Sequence, residues 1–463
     1  MGQSATNDDD SLQVVFQLPG RSSPPSLPSS LLSPMQAAPL PFAGIRVLDV
    51  ASFIAAPVAA TVFADYGADV IKVEPPGQGD PNRQTWELAS YPKAGLNYPW
   101  ELDSRGKRSI ALDLRREAAR EVLYRLVSQA DVLITNYPQP VRERLGLSYE
   151  AIRTINPRMI YAALSGYGEV GPDKDLLGFD VTAFFARSGL LDSNRYEGQA
   201  PGVVMPAQGD RSSGISLFAG ILIALWMREK SGEGGFVSSS LLANGLWANG
   251  VGAQAALLGG FLPPRPPRER PRNALTNAYQ TADERWVQLS IVREERDWPV
   301  FCRLIDRLDW LSDPGFDSTV KRRAASARLV ALLDPIFASK PWEWWRAQCD
   351  AAGIPIGLIG RLQDLAADQQ ARASGAVVPS LSEGMPETLA VPFQLDRVSL
   401  GPRARAPALG EHANAILQEA GYSDDQIAVL QAQGVFGEFV AASGLTDTSR
   451  VAVAADNPDA KAG

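Results

Sequence analysis

Between Ile215 and Met227 almost every residue is apolar, and the run is preceded by Gly209-Asp210. A helix that is apolar on every side is a buried one. The run is too short to span a bilayer, which takes about 20 residues. Ser212 and Ser213 suit a helix start. Arg228, Glu229 and Lys230 close the run, and Gly232 can take the left-handed cap position. The sequence therefore predicts a buried helix with a carboxylate, Asp210, at or near its N-terminus. The partial positive charge there favours the ionised form. An ionised, fixed carboxylate is what covalent carboxylate catalysis needs. From the residues alone two readings stand: a helix cap, or a nucleophile.

Composition narrows the chemistry. The chain has 463 residues, enough for one large or two ordinary domains. Its net charge is −8, so the basic footprint of a nucleic-acid binder is missing. Two cysteines, Cys302 and Cys349, and one histidine, His412, exclude a disulfide framework and zinc sites of the usual Cys/His type. No metal site is expected. A histidine-based triad would depend entirely on His412, and no G-x-S-x-G elbow surrounds Ser238, Ser239 or Ser240. His412 reads as structural. No run reaches eighteen consecutive apolar residues, so no transmembrane helix and no membrane partner are expected.

Along the chain, residues 1–40 are rich in Ser, Pro, Gln and Ala and read as a disordered tail. They lack the basic start and apolar core of a secretory signal, so the default location is cytoplasmic. From Phe42 onward, GIRVLDV, APVAATVFADYGA and DVIKVE alternate strand, helix and strand. RSIALDL reads as a short strand or turn, and DVLITN and RMIYAALS as further strands. This is the pattern of an α/β fold with a parallel, Rossmann-like sheet. The expected organisation is a first part of a large domain over 41–262 and a linker over 263–273. A smaller α+β domain follows over 274–372, then a return to the large domain over 373–441 and a tail over 442–463. The prolines of PPRPPRERPRN favour an extended linker over a basic nucleic-acid patch. AYQTADERWVQLSIV reads as a hairpin with Asp283-Glu284 at its turn.

Two further motifs bear on function. Gly166-Tyr167-Gly168-Glu169-Val170-Gly171 matches G-x-G-x-x-G and follows a strand. Dinucleotide binding needs that loop to open a helix. Pro172-Asp173-Lys174-Asp175 reads as a turn instead, so an NAD-dependent oxidoreductase is a remote alternative. Asp180, in GFDVTAFFARSG, forms with Asp210 the one well-placed pair of carboxylates. Such a pair can do acid/base or covalent work, or be two unrelated caps.

Seven stretches, in order over residues 40–440, carry a resemblance. They are GIRVLDV with the following FADYGADVIKVEPPGQGDPNR; RGKRSIALDL; ADVLITNYPQPVRERLGLSYEAIRTINPRMIYAALSGYG; GFDVTAFFARSG; GDRSSGISLFAGILIALWMREKSGEG; NAYQTADERW; and GEHANAILQEAGYS. The chain resembles the family III CoA-transferases, a group that includes formyl-CoA and carnitine CoA-transferases and α-methylacyl-CoA racemase. The resemblance implies a large Rossmann-like domain built from both ends of the chain, a smaller middle domain, and a homodimer of interlocked chains. It implies no permanently bound cofactor, with a coenzyme A thioester and a carboxylic acid as substrates. Asp210 would be the nucleophile, attacking the thioester to give a mixed anhydride and then an aspartyl-CoA thioester. Asp180 would polarise or position the acyl group.

Position by position, the resemblance places CoA phosphate at Arg144. Leu112 and Arg115 fall beside the nucleotide, Asn136 and Tyr137 at the adenosine end, and a backbone contact at Phe53. The chain also departs from the family. Ile54 stands where the formyl-CoA enzyme has Gln, and the glycine-rich loop before the NAY segment is missing. Ile54 and Phe179, with Phe184 and Phe185, point to a larger, more apolar acyl group. The racemases have His where this chain has Phe179. A CoA-transferase is the first expectation. A racemase of the same fold, or a non-catalytic partner subunit, are the alternatives.

Overall fold

The computed structural model describes residues 40–399 and 401–437; the tails expected at 1–40 and 442–463 lie outside the described residues, Leu40 aside. Six strands follow one another up to Ser240: β1 (Arg46–Asp49), β2 (Asp69–Glu74), β3 (Arg108–Ala111), β4 (Val132–Thr135), β5 (Ile160–Ser165) and β6 (Gly235–Ser240). Between them run α1 (Ala55–Asp65), α2 (Tyr98–Ser104), α3 (Glu117–Val127), α4 (Gln139–Arg144), α5 (Tyr149–Ile155), α6 (Leu190–Asn194) and α7 (Gln208–Ser231). The strands form one parallel sheet in the order β3-β2-β1-β4-β5-β6. The order reverses between β1 and β4. In open α/β sheets that reversal opens a crevice at the carboxyl ends of the strands, where ligands bind.

Strand alternation fills both faces of the sheet. Leu48, Ile71, Val73, Leu133 and Tyr161 share one core with α3. The helices Ala413–Glu419 and Asp424–Ala432 supply Ile416, Leu417, Ile427 and Leu430 to that same core. Val47, Val70, Val132, Ile134 and Ile160 share the other core with α1 and α7. The last described segment therefore packs against a sheet begun more than three hundred residues earlier, as an α/β unit with two chain ends requires. His412 belongs to this junction: its Nδ1 accepts the N–H of Ser109 at 3.3 Å.

Helix α7 departs from expectation in two ways. It begins at Gln208 and not at Ser212, capped by Ala207 in a left-handed conformation (φ 67°), and Asp210 lies in its first turn, near the N-terminus as expected. Ser212 is helical, and its hydroxyl donates to the carbonyl of Gly209 at 3.0 Å. Second, the apolar run is buried on one side only. Leu217, Phe218 and Ile221 are buried, while Ile223, Trp226 and Met227 are 64, 65 and 62% exposed. The reason is geometric: α1 covers one face of α7, and among the described residues the opposite face at Ile223, Trp226 and Met227 stays open. The close approach depends on Gly214, where a Cβ would lie 2.6 Å from the carbonyl oxygen of Ala55. The following helices, α8 (Leu241–Ala248) and α9 (Gly250–Leu257), also present large apolar side chains to solvent, among them Trp247 and Val251. Gly232 caps α7 at φ 74°, as the sequence predicts.

The middle of the chain has a core of its own. Strands β7 (Ala278–Gln280), β8 (Trp286–Leu289) and β9 (Ile356–Leu358) form an antiparallel sheet. The predicted hairpin turn is present, with Glu284 at φ 58°. Tyr279, Trp298, Trp310, Phe337 and Trp345 pack with both cysteines, which are buried and free. The segment 263–273 has no helix and only a bridge at Arg265. Arg268 within it pairs with Asp334 and lies over the ring of Tyr279, a structural use of one of the four arginines. A short hairpin, β10 (Val377–Pro379) with β11 (Glu387–Leu389), follows. Among the described residues no helix is long and apolar enough to cross a membrane.

Candidate active site

The crevice lies where β1 and β4 part. After β1 the chain turns through Ser52, Phe53 and Ile54 into α1. Asn136, just past β4, holds that turn from the side: its Oδ1 accepts the N–H of Ser52 at 2.9 Å, and its Nδ2 donates to the carbonyl of Ser52 at 2.7 Å. Phe53 adopts φ 60°, a conformation that costs a non-glycine residue energy and recurs at functional sites. Asp80 fixes it, accepting the Phe53 N–H at 2.8 Å. The Phe53 N–H is thus already engaged within the protein.

Asp80 is itself buried, and its other carboxylate oxygen lies 2.7 Å from the ammonium of Lys72. Lys72 donates to the carbonyl of Ala51 at 2.6 Å. Asp49 lies between Lys72 and Lys107, at 3.5 and 2.8 Å, and Lys107 donates to the carbonyl of Pro57 at 2.8 Å. Burial opposes the charge of Lys72, but Asp49 and Asp80 outweigh it and hold the ammonium above lysine's ordinary value. Burial likewise opposes Asp49, whose ionised form Lys107 and Lys72 restore. One internal charge network therefore grips the β1–α1 turn at Ala51, Phe53 and Pro57. Sequence reading missed it. The available signal was Lys72, a lysine flanked by the apolar Ile71 and Val73 in the strand DVIKVE.

Across the crevice lie the two carboxylates. A wide helical turn of the π type, Asp180–Ala186, carries Asp180; such turns are frequent at functional sites. Oδ1 of Asp180 accepts the N–H of Gly209 at 2.9 Å, while Oδ2 is buried without a hydrogen-bond partner. Gly209 is required here, since a Cβ would lie 2.3 Å from Cγ of Phe184 and 2.4 Å from Oδ1 of Asp180. The next residue is Asp210, half-buried in the first turn of α7. Burial, then Asp180 and Asp103, push its carboxyl up to about 7, against the lowering influence of Arg211. The helix end favours the ionised form, but burial and the neighbouring carboxylates outweigh it. A helix terminus contributes at most about 2 kcal/mol, equivalent to about 1.5 pH units. The rise from 3.8 to about 7 exceeds that. Asp180 is also raised, by burial, while the backbone N–H groups of Gly209, Ala207 and Gln208 oppose the rise.

The remaining expected positions divide. Phe179 is half-exposed, and its ring meets Phe53 edge-on at 5.9 Å. Ile54 is buried against Val58 and Ala207, at the foot of α7. Tyr137, next in sequence to Asn136, packs against the core shared with α3, and burial pushes its phenol up to about 12. Arg144 is exposed at the end of α4. Leu112 is buried, its N–H donating to Glu74 and its carbonyl accepting from Leu114. Arg115 is exposed beside it and engaged by Asp113 at 2.7 Å. These two follow β3, two strands from β1, about 10 Å away across the sheet at ordinary strand spacing. Phe53, Ile54, Phe179, Asp180 and Asp210 thus form one cluster, Asn136 and Tyr137 adjoin it, and Leu112 and Arg115 stand apart. The loop Gly166–Gly171 opens no helix, in line with the turn expected there.

A fixed carboxylate beside a second one, at the switch point of a parallel sheet, suits acyl transfer through a carboxylate. Comparison with known proteins bears on the same chemistry. The profile of CoA-transferase family III matches residues 42–413. The chain is 32% identical to the cinnamoyl-CoA:phenyllactate CoA-transferase of Clostridium sporogenes, over 84% of this chain and 96% of that one. It is 30% identical to the (R)-2-hydroxy-4-methylpentanoate CoA-transferase of Clostridioides difficile, over 83% and 96%. A solved CAIB/BAIF family protein from Brucella suis superposes with a TM-score of 0.73 at 28% identity, over 82% of this chain and 99% of that one. With a match that runs through both carboxylates and nearly the whole described chain, this protein belongs to the family III CoA-transferases and is an enzyme of that family.

Proposed function

We propose that the enzyme moves CoA from an acyl-CoA donor to a carboxylic acid through covalent intermediates on Asp210. The observation that carries this reading is the tether from Asp180 to the Gly209 N–H, which fixes the backbone beside a half-buried Asp210. In the first step the Asp210 carboxylate attacks the thioester carbonyl, giving a mixed anhydride and CoA thiolate. The thiolate then attacks the aspartyl carbonyl, forming an aspartyl-CoA thioester and releasing the donor acid. The acceptor carboxylate attacks that thioester, and the freed thiolate takes the acceptor acyl group, restoring Asp210. Thioester energy is conserved through each covalent step. Asn136, Tyr137, Arg115 and Arg144 are the candidate CoA contacts; an exposed guanidinium suits a phosphate.

The acceptor we propose is an acid with an apolar, branched or aromatic side chain. Phe53 and Phe179 support this, since their partly exposed rings border the Asp180–Asp210 pair. The relatives named for 2-hydroxy-4-methylpentanoate and phenyllactate act, by name, on acids of that kind. Phe179 offers no proton acceptor, which argues against racemisation. We further propose two lobes, one around the six-stranded sheet and one around the 274–358 core, and a homodimer that covers the exposed faces of α7, α8 and α9.

The test incubates the protein with succinyl-CoA and a panel of acids, with mass detection of new acyl-CoAs. Hydroxylamine added with acyl-CoA should convert Asp210 to a hydroxamate, read in the peptide containing it, and Asp210→Asn should abolish transfer. Trapping at Asp180 instead, or transfer by Asp210→Asn, sinks the reading. For the dimer, two differently tagged pools are mixed, and rapid formation of hybrids excludes interlocked chains.

A further inference from the structure

One ionic pair beside the two carboxylates has no part in the mechanism above. Arg211, next to Asp210, pairs with Asp103 at the end of α2. Its Nε and Nη2 donate to the two oxygens of Asp103 at 3.1 and 2.9 Å, a fork-on-carboxylate geometry. Asp103 is buried, 2% exposed, while the Arg211 side chain is 35% exposed. Asp103 is also held through its backbone. Its backbone carbonyl accepts from Lys107 at 3.0 Å and from the hydroxyl of Thr61. Lys107 in turn is paired with Asp49 inside β1. The buried network that grips the β1–α1 turn therefore continues, through Asp103 and Arg211, to the residue after Asp210. The chain separation is large: Asp103 and Arg211 are 108 residues apart.

We propose that the Asp103–Arg211 pair is a positioning clamp, which locks the first turn of α7 to the buried charge network and so aims the Asp210 carboxylate at the bound thioester. The clamp complements the Asp180 tether. Asp180 holds the backbone before Asp210, and Asp103 holds the side chain after it, so the nucleophile is fixed on both sides. The pairing has an electrostatic consequence as well. The charged and titratable groups around Asp210 are Asp180 from the π turn, Asp103 from α2, Arg211 from its own helix and Tyr91 from the loop before α2. Asp103 engages the guanidinium that would otherwise serve Asp210 alone. The clamp fixes Asp210 at the cost of part of its ionisation.

This inference rests on covalent transfer through Asp210, so the wild type is first shown to form the hydroxamate there. Three variants are then compared with it: Asp103→Asn, Arg211→Lys, and the doubly neutral Asp103→Asn with Arg211→Gln, which strands no buried charge. Each is measured for kcat, KM for acyl-CoA, the acid limb of the pH–kcat profile, and Tm. Misplacing a reacting group by about 1 Å can slow a reaction about a hundredfold, so a loosened clamp should lower kcat by about tenfold or more. KM should stay within about twofold, since CoA contacts are untouched. In Asp103→Asn the acid limb should also move to lower pH, because Arg211 then faces Asp210 unshared. If that variant does not fold, Arg211→Lys carries the test, keeping the cation while losing the fork. A folded variant with wild-type kcat overturns the clamp, as does a kcat that falls only in step with Tm while the limb stays fixed. If the wild type traps no hydroxamate, the covalent reading has failed and the clamp falls with it, a result distinct from an active wild type with unimpaired variants.

Discussion

Oδ1 of Asp180 accepts the N–H of Gly209 at 2.9 Å, joining the π turn to the first turn of α7 one residue before Asp210. Two carboxylates 30 positions apart are thereby made parts of one site. Asp180 spends one oxygen on the backbone and keeps the other buried and unpaired.

Asp180→Ala is expected to slow transfer without abolishing it. The substitution leaves the Gly209 N–H buried without its acceptor, a cost of about 1–3 kcal/mol. The effect should appear in kcat more than in KM, and hydroxylamine should still trap Asp210. Steady-state kinetics with mass detection of the trapped peptide checks both. Loss of trapping would make Asp180 indispensable and the tether account too weak.

The pH dependence of activity and of stability should run in opposite directions. With the Asp210 carboxyl at about 7, transfer rises as pH rises through neutrality, because the ionised form is the nucleophile. The folded state holds this proton more tightly than the unfolded state, whose value is near 3.8. Stability from this group is therefore full below about 3.8 and is lost as pH rises towards about 7. Asp210→Asn removes that loss, so its Tm relative to wild type should improve between pH 5 and pH 8. Thermal melts at those two pH values decide it; an unchanged difference in Tm contradicts the assignment.

Gly214→Ala should be destabilising although alanine is the better helix former. The added Cβ would lie 2.6 Å from the carbonyl oxygen of Ala55 and 2.8 Å from Cβ of Val58. Forcing α1 and α7 apart should cost about 1–3 kcal/mol. Denaturant unfolding measures it, and a stabilised variant would show that the helices do not pack this closely.

Lys72→Met should be among the most damaging substitutions away from the carboxylates. It strands Asp80 and half of the pairing of Asp49 in the interior, and removing one partner of a buried ion pair costs about 3–5 kcal/mol. Where the variant folds, the Phe53 turn should loosen and KM for acyl-CoA should rise. A variant with wild-type Tm and KM would mean that the network does not hold the turn.

The features that depend on local pattern are legible along the chain. Alternation of short apolar strands with helices set the parallel α/β sheet, and the Gly-Asp ahead of an apolar run put Asp210 at a helix start, with cap and nucleophile both open until the resemblance is considered. Gly232 as the left-handed cap and the Asp283-Glu284 hairpin follow from turn chemistry that acts over a few residues. Contacts between distant residues lie beyond local pattern. Asp80 reaches Phe53 across 27 positions, Asp180 reaches Gly209 across 29, and Asp103 reaches Arg211 across 108. The order of strands, not their spacing along the chain, puts Asn136 beside Ser52 and leaves Leu112 two strands away. The ionisation of Asp210 is likewise a tertiary effect. The helix end is a local effect worth at most about 2 kcal/mol, and burial beside two other carboxylates, which only the fold brings about, outweighs it. Nor could periodicity foretell that α7 buries one face and leaves Trp226 open. Hydrophobicity says that a surface must be covered, and the packing of elements around it decides by what.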